Sequence, residues 1–162
     1  MDSCDPTAAS LLDEVMMRRA LELANEAAAL GEAPVGAVVY RGEEILGEGF
    51  NRREMDHDPI AHAEILAIQA AARRLNSWRL QGCTMAVTLE PCPMCAGALL
   101  NARVDRLIYG ATDPKMGCVD TLYRLCTDTR FNHRLTVVSG ILAEECGSIL
   151  TSFFRALREK KK

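Results

Sequence analysis

With 162 residues, the chain is long enough to bury about two-thirds of its unfolded surface in one core, which excludes both a stapled mini-protein and a multidomain assembly. Hydrophobic residues make up 49% and charged residues 25%, near the averages for globular domains, and no apolar run approaches the ~18 residues of a spanning helix, so disorder and membrane burial are excluded as well. The net charge of -3 hides an asymmetry: from Arg130 onward seven Lys/Arg face three Asp/Glu, a net of +4, which leaves -7 on the first 129 residues. An acidic body with a basic tail is either an ordinary helix end, where cations complement the dipole, or a nucleic-acid contact.

The opening MDSCDPTAAS has no basic n-region and no apolar h-region, so a cytoplasmic, leaderless protein with residues 1–10 as a flexible arm is expected. Ser10 reads as an N-cap with Asp13 three residues on, and Leu12, Val15, Met16, Leu23, Ala27 and Leu30 recur at helical spacing, predicting a helix over about 11–30. VGAVVY and EEILGEGFN, joined at Gly42, predict a hairpin, and residues 51–60 form a loop. AHAEILAIQAAARRL reads as a helix ending near Asn76, TMAVTL as a buried strand, and CPMCAGALLNAR as a third helix. RLIYG follows as a strand, VDTLYRLC as a fourth short helix, LTVV as the last strand, and a closing helix begins near Ala143. Strands alternating with helices after one hairpin predict an α/β domain, residues 11–162, with helices on both faces of a mostly parallel five-stranded sheet.

Seven cysteines (Cys4, Cys83, Cys92, Cys95, Cys118, Cys126, Cys146) form an odd set, expected to be buried thiols or metal ligands in a reducing compartment. The sharpest signal is His62-Ala63-Glu64 followed thirty residues after the histidine by Cys92-Pro93-Met94-Cys95, each group at a helix start. An imidazole and two thiolates make three ligands for tetrahedral zinc, the number that catalytic sites use while leaving a position open for water. A helix N-terminus favours the thiolate that zinc needs, and Pro93 fits the first helical turn. No fourth ligand is convincing, because Cys83 precedes a strand alone and His57 and His133 lie in loops. Glu64, two residues past His62 and about 200° round a regular helix, suits a proton-transferring base better than a fourth ligand. A lone Cys-x-x-C is more often a redox pair or two core thiols, but neither needs the histidine, the glutamate and the proline.

HAE with EPCPMC resembles the zinc-dependent cytidine and deoxycytidylate deaminase superfamily. GEAPVGAVV, the NHR tripeptide and the terminal SFFRALR narrow the resemblance to bacterial tRNA-specific adenosine deaminases, over nearly the whole chain. It implies a three-layer α/β/α cytidine-deaminase-like fold, one Zn2+ per chain on His62, Cys92 and Cys95, and Glu64 as proton shuttle. It further implies Asn51 and the Ala63 amide as substrate contacts. An anticodon-loop surface would include Asp113, Lys115, Asn132, His133, Phe153, Phe154 and Arg158. The implied partners are a tRNA anticodon stem-loop and a second copy of the chain, with neither membrane nor DNA. The residues themselves leave Asn51 open as a turn residue, and Phe153 reads as core, on a stripe with Cys146, Ile149, Leu150 and Leu157. Phe154 lies off that stripe beside Arg155 and Arg158, where an aromatic can stack on an unpaired base. Two other functions compete: a deaminase of free cytosine, guanine or a nucleotide, and a zinc-containing RNA-binding protein without turnover.

Overall fold

The computed structural model describes residues 5–162, so Cys4 and the start of the arm lie outside the described residues. Ser10 closes the arm by the capping box that the sequence predicts: its side chain accepts the Asp13 N–H at 3.1 Å, and the Asp13 carboxylate accepts the Ser10 N–H at 3.0 Å. Helix α1 (Leu11–Ala29) follows, and stops where Gly31 turns left-handed at φ 82°. Strands β1 (Gly36–Arg41) and β2 (Glu44–Phe50) form the predicted hairpin. Then come α2 (Ala63–Leu75), β3 (Thr84–Leu89), α3 (Pro93–Asn101), β4 (Arg106–Ala111), β5 (Thr136–Val138) and α4 (Ala143–Lys160).

The five strands run in the order β2-β1-β3-β4-β5. Four of the five strands run one way, as expected, but the pairings are evenly mixed: β1 is antiparallel to both β2 and β3, while β3–β4 and β4–β5 are parallel. The α2 crossover makes β2 and β3 parallel to each other, but β1 lies between them and meets each in the opposite sense. Helices α1 and α4 pack on one face around Met16, Met17, Val38, Ile108 and Cys146; α2 and α3 pack on the other around Ala67, Met85, Leu99 and Leu107. The result is the expected three-layer α/β/α arrangement.

Two details position the functional end. Helix α2 lies directly on β2, because Ala63, Ala67 and Ala71 face Gly47 and Gly49; a Cβ on Gly49 would fall 2.5 Å from the Ala63 carbonyl oxygen. Across the sheet, Asp13 is 2% exposed and takes both guanidinium arms of Arg106 at 2.7 and 2.6 Å, plus the Tyr40 hydroxyl at 2.7 Å. Burial alone would raise the Asp13 pKa, but the hydrogen bonds from Arg106, Tyr40 and the Ser10 amide outweigh it and hold the carboxyl at about 2. Arg106 also donates to the Pro6 and Ala8 carbonyls, tying the described part of the arm to the start of β4.

The helix predicted at VDTLYRLC does not form; residues 119–126 are turns and irregular chain. The buried Glu90 carboxylate accepts the Val119, Asp120 and Thr121 amides there at 3.1, 2.9 and 3.0 Å. Beyond them Leu122 donates to the Gly117 carbonyl and Leu125 to the Cys118 carbonyl, spacings of five and seven residues in place of the helical four.

Candidate active site

His62 is the N-cap of α2 and Cys92 the N-cap of α3, with Pro93 at the first helical position. Both helix starts meet where β3 ends, so residues thirty apart in sequence share one corner. The His62 Nδ1 atom lies 3.6 Å from Cys92 Sγ and 3.5 Å from Cys95 Sγ. A tetrahedral zinc with ordinary Zn–N and Zn–S lengths puts its nitrogen and sulfur ligands about 3.6 Å apart, so this donor set fits the ion. Among the described residues no other His, Cys, Asp or Glu joins the cluster, leaving three protein ligands, the pattern of an open site.

The electrostatics suit metal binding. A hydrogen bond from the Cys95 thiol, opposed by burial and reinforced by His62, pulls the Cys92 pKa down to about 4. The same hydrogen bond and burial push Cys95 up, so the pair holds one readily lost proton and one that a cation must displace. Glu64 is 4% exposed and stands outside the ligand set, within reach of the Cys95 thiol. Burial raises its pKa, which moves a carboxylate toward the range where it both takes and returns a proton.

A cleft of about 200 Å³ opens on these groups, lined by Val35, Asn51, Ala63, Glu64, Asp113 and Met116 among others. It is smaller than the ~300–1,000 Å³ of pockets that enclose a drug-sized ligand. Asn51 is both turn residue and cleft wall. Its Nδ2 donates to the Ala33 carbonyl at 3.2 Å and its Oδ1 accepts the Arg53 amide at 3.1 Å. One N–H and one lone pair remain for another partner. Ala63 is the first residue of α2, so its amide has no acceptor within the helix.

The seven residues assigned to an RNA surface divide. Asp113 comes to the cleft, where its Oδ1 accepts the Lys115 and Met116 amides; Lys115 is exposed beside it. Asn132 and His133 are not brought there: the His133 Nε2 is 2.7 Å from the Val104 carbonyl oxygen, just before β4 begins, at the other end of the sheet. Phe153 is half-buried rather than core, and meets the exposed Phe154 edge-on with ring centroids 5.3 Å apart. The stripe fades because Cys146 is the one buried side chain of α4, and Leu157 is already 38% exposed. Arg158 and the three terminal lysines are exposed, with no ion pair among the described residues. Sequence reasoning missed Glu90, although its signal was there: a carboxylate placed directly after an apolar strand is seldom left unpaired.

Residues 12–158 match the family model described as MafB19-like deaminase. The tRNA-specific adenosine deaminase of Bacillus subtilis (strain 168) is 51% identical over 150 residues, covering 93% of each chain. That of Haemophilus influenzae is 51% identical over 154 residues, 94% of this chain and 89% of the relative. A solved structure from work on A-to-I editing by tRNA:A34 deaminases at the wobble position of transfer RNA superposes with a TM-score of 0.81. It is 40% identical and covers 84% of this chain and 99% of its own. Since the likeness runs through the cleft-forming elements and nearly to both ends, the chain is an enzyme that belongs to the MafB19-like deaminases, in their tRNA-specific adenosine deaminase family.

Proposed function

We propose that the protein hydrolyses adenosine to inosine and ammonia at the wobble position of a tRNA anticodon loop, in the cytoplasm, as one zinc-dependent domain over residues 11–162. The observation that carries this reading is Glu64, a buried carboxylate beside the His62, Cys92 and Cys95 donors and in the same cleft as Asn51 and Ala63. A non-catalytic zinc protein has no use for that carboxylate. His62, Cys92 and Cys95 would hold one zinc ion per chain, which would supply Lewis acidity to the attacking water. Glu64 takes the proton from the attacking water and delivers it to the departing amine nitrogen of C6. Asn51 offers its spare N–H and lone pair to the nucleoside, and the Ala63 amide offers a donor to the base. The narrow cleft holds a base turned out of its stack, which an anticodon loop presents at small unstacking cost.

In this reading Asp113 and Lys115 touch the loop at the cleft rim, and Phe154, Phe153 and Arg158 stack on or neutralise the flanking nucleotides. Asn132 and His133 stand at the other sheet end, so their part in RNA binding requires the second chain of a homodimer. The test is to incubate zinc-loaded protein with an anticodon stem-loop carrying adenosine at the wobble position, the same loop carrying cytidine, and free adenosine, cytosine and guanine. Inosine from the first alone supports the proposal. Uridine without inosine, or turnover of a free base alone, overturns it in favour of a cytidine or small-molecule deaminase.

A further inference from the structure

Glu90 is 2% exposed and does no work in the chemistry above, yet it gathers more donors than any other side chain around the cleft. Its Oε1 accepts the Asp113 amide at 3.1 Å and the Thr121 hydroxyl at 2.5 Å; its Oε2 accepts the amides of Val119, Asp120 and Thr121. All five donors come from the segment 113–121, and its middle folds against the same carboxylate: a Cβ on Gly117 would fall 2.5 Å from Glu90 Oε1. The segment has no helix or strand of its own, so this charge replaces the hydrogen bonds that regular structure would supply. A second buried group helps, since the Tyr109 hydroxyl of β4 donates to Asp120.

The segment matters because Asp113 and Met116, at its near end, form one wall of the cleft opposite Asn51. Met116 is 51% exposed, and its amide donates to the Asp113 carboxylate at 3.2 Å. We propose that Glu90 is a positioning residue: its carboxylate holds residues 113–121 as a preformed wall that receives the nucleotide, and so sets substrate affinity rather than the rate of the chemical step. The inference rests on the proposed reaction for its substrate, but its structural half stands apart from it.

The experiment compares wild type with Glu90→Gln and Thr121→Val in the zinc-loaded protein. Amide hydrogen exchange over 113–121, zinc content, and kcat and KM for the adenosine stem-loop are measured together. Glu90→Gln keeps the size of the side chain but loses the charge and one acceptor; Thr121→Val removes one donor from an exposed residue. The expected result for Glu90→Gln is exchange faster by about tenfold or more at residues 119–121, KM raised by about tenfold, zinc retained, and kcat changed less than threefold. Thr121→Val shifts exchange and KM the same way by a smaller factor. Unchanged exchange in both variants, a kcat loss at constant KM, or loss of zinc from Glu90→Gln overturns the proposal, the last by placing Glu90 in support of Cys92 instead of the wall. If the wild type fails to deaminate the stem-loop, the proposed reaction falls, and the exchange data alone decide whether Glu90 holds the segment.

Discussion

The paired starts of α2 and α3 and the last turns of α4 both carry residues assigned to substrate, but they are built on opposite plans. At the paired starts every working group is immobilised: His62 and Cys92 are N-caps, Glu64 is buried, and Ala63 packs on a glycine strand. At the end of α4 the aromatic and basic side chains are exposed. Chemistry needs atoms held to within a fraction of an ångström, whereas a polyanion tolerates cations that move. The contrast teaches that, on the proposed reading, the proton transfer and the contacts to the flanking nucleotides fall in separate parts of the molecule, and mutations should separate them.

The largest expected effect breaks the rigid part alone. Glu64→Ala should lower kcat for the adenosine stem-loop by at least ~10²-fold while zinc content and RNA affinity stay near wild type, measured by single-turnover kinetics, metal analysis and filter binding. Near-wild-type turnover would remove Glu64 from the proton path. Next comes the seat of α2: Gly49→Ala forces a methyl against the Ala63 carbonyl and should cost about 1–3 kcal/mol in urea unfolding, with weaker zinc retention because His62 moves with the helix. Gly97→Ala on α3, where a Cβ meets nothing within 4 Å, is the control and should be neutral or stabilising by ~0.5–1 kcal/mol.

Acid sensitivity should arise far from the cleft. Because the folded Asp13 carboxyl sits at about 2 against an ordinary 3.8, its contribution is complete above about pH 5 and is lost as pH falls through 2, on the order of 2 kcal/mol in all. Urea midpoints taken between pH 6 and pH 2 should show this limb, and Asp13→Asn should flatten it while lowering stability at pH 7. The smallest effect sharpens the contrast from the exposed side. Deleting residues 159–162 removes three lysines and one glutamate, and should leave kcat unchanged while the slope of log affinity against log salt flattens by roughly 0.7 for each phosphate no longer neutralised. An unchanged slope would make the lysines an ordinary helix end.

What could be read from sequence follows the same division. That His62, Cys92 and Cys95 come together beside Glu64 was legible because a shared corner at two helix starts imposes spacing and composition, and both leave marks within a few residues. Helix α1 was legible to its cap for the same local reason. The helix expected at VDTLYRLC gives way to turns whose first amides meet Glu90, some thirty positions earlier, and whose later ones reach back five and seven residues, and no local pattern reports partners so placed. The even mixture of strand pairings was hidden likewise, since it depends on β1, the one strand of opposite direction, lying between the two strands that α2 connects. Phe153 carried the spacing of a core residue, but periodicity cannot say how far along a helix the core extends.

The bonds from Arg106 to the Pro6 and Ala8 carbonyls bear on how the protein can be handled. They anchor the incoming chain where β4 begins, whereas the cleft opens where β3 and β4 finish. A fusion partner or surface linker joined at Asp5 is therefore attached at the end of the sheet away from the cleft, next to residues braced by a guanidinium. Immobilised in that orientation, the enzyme presents its mouth outward to a nucleic acid in solution.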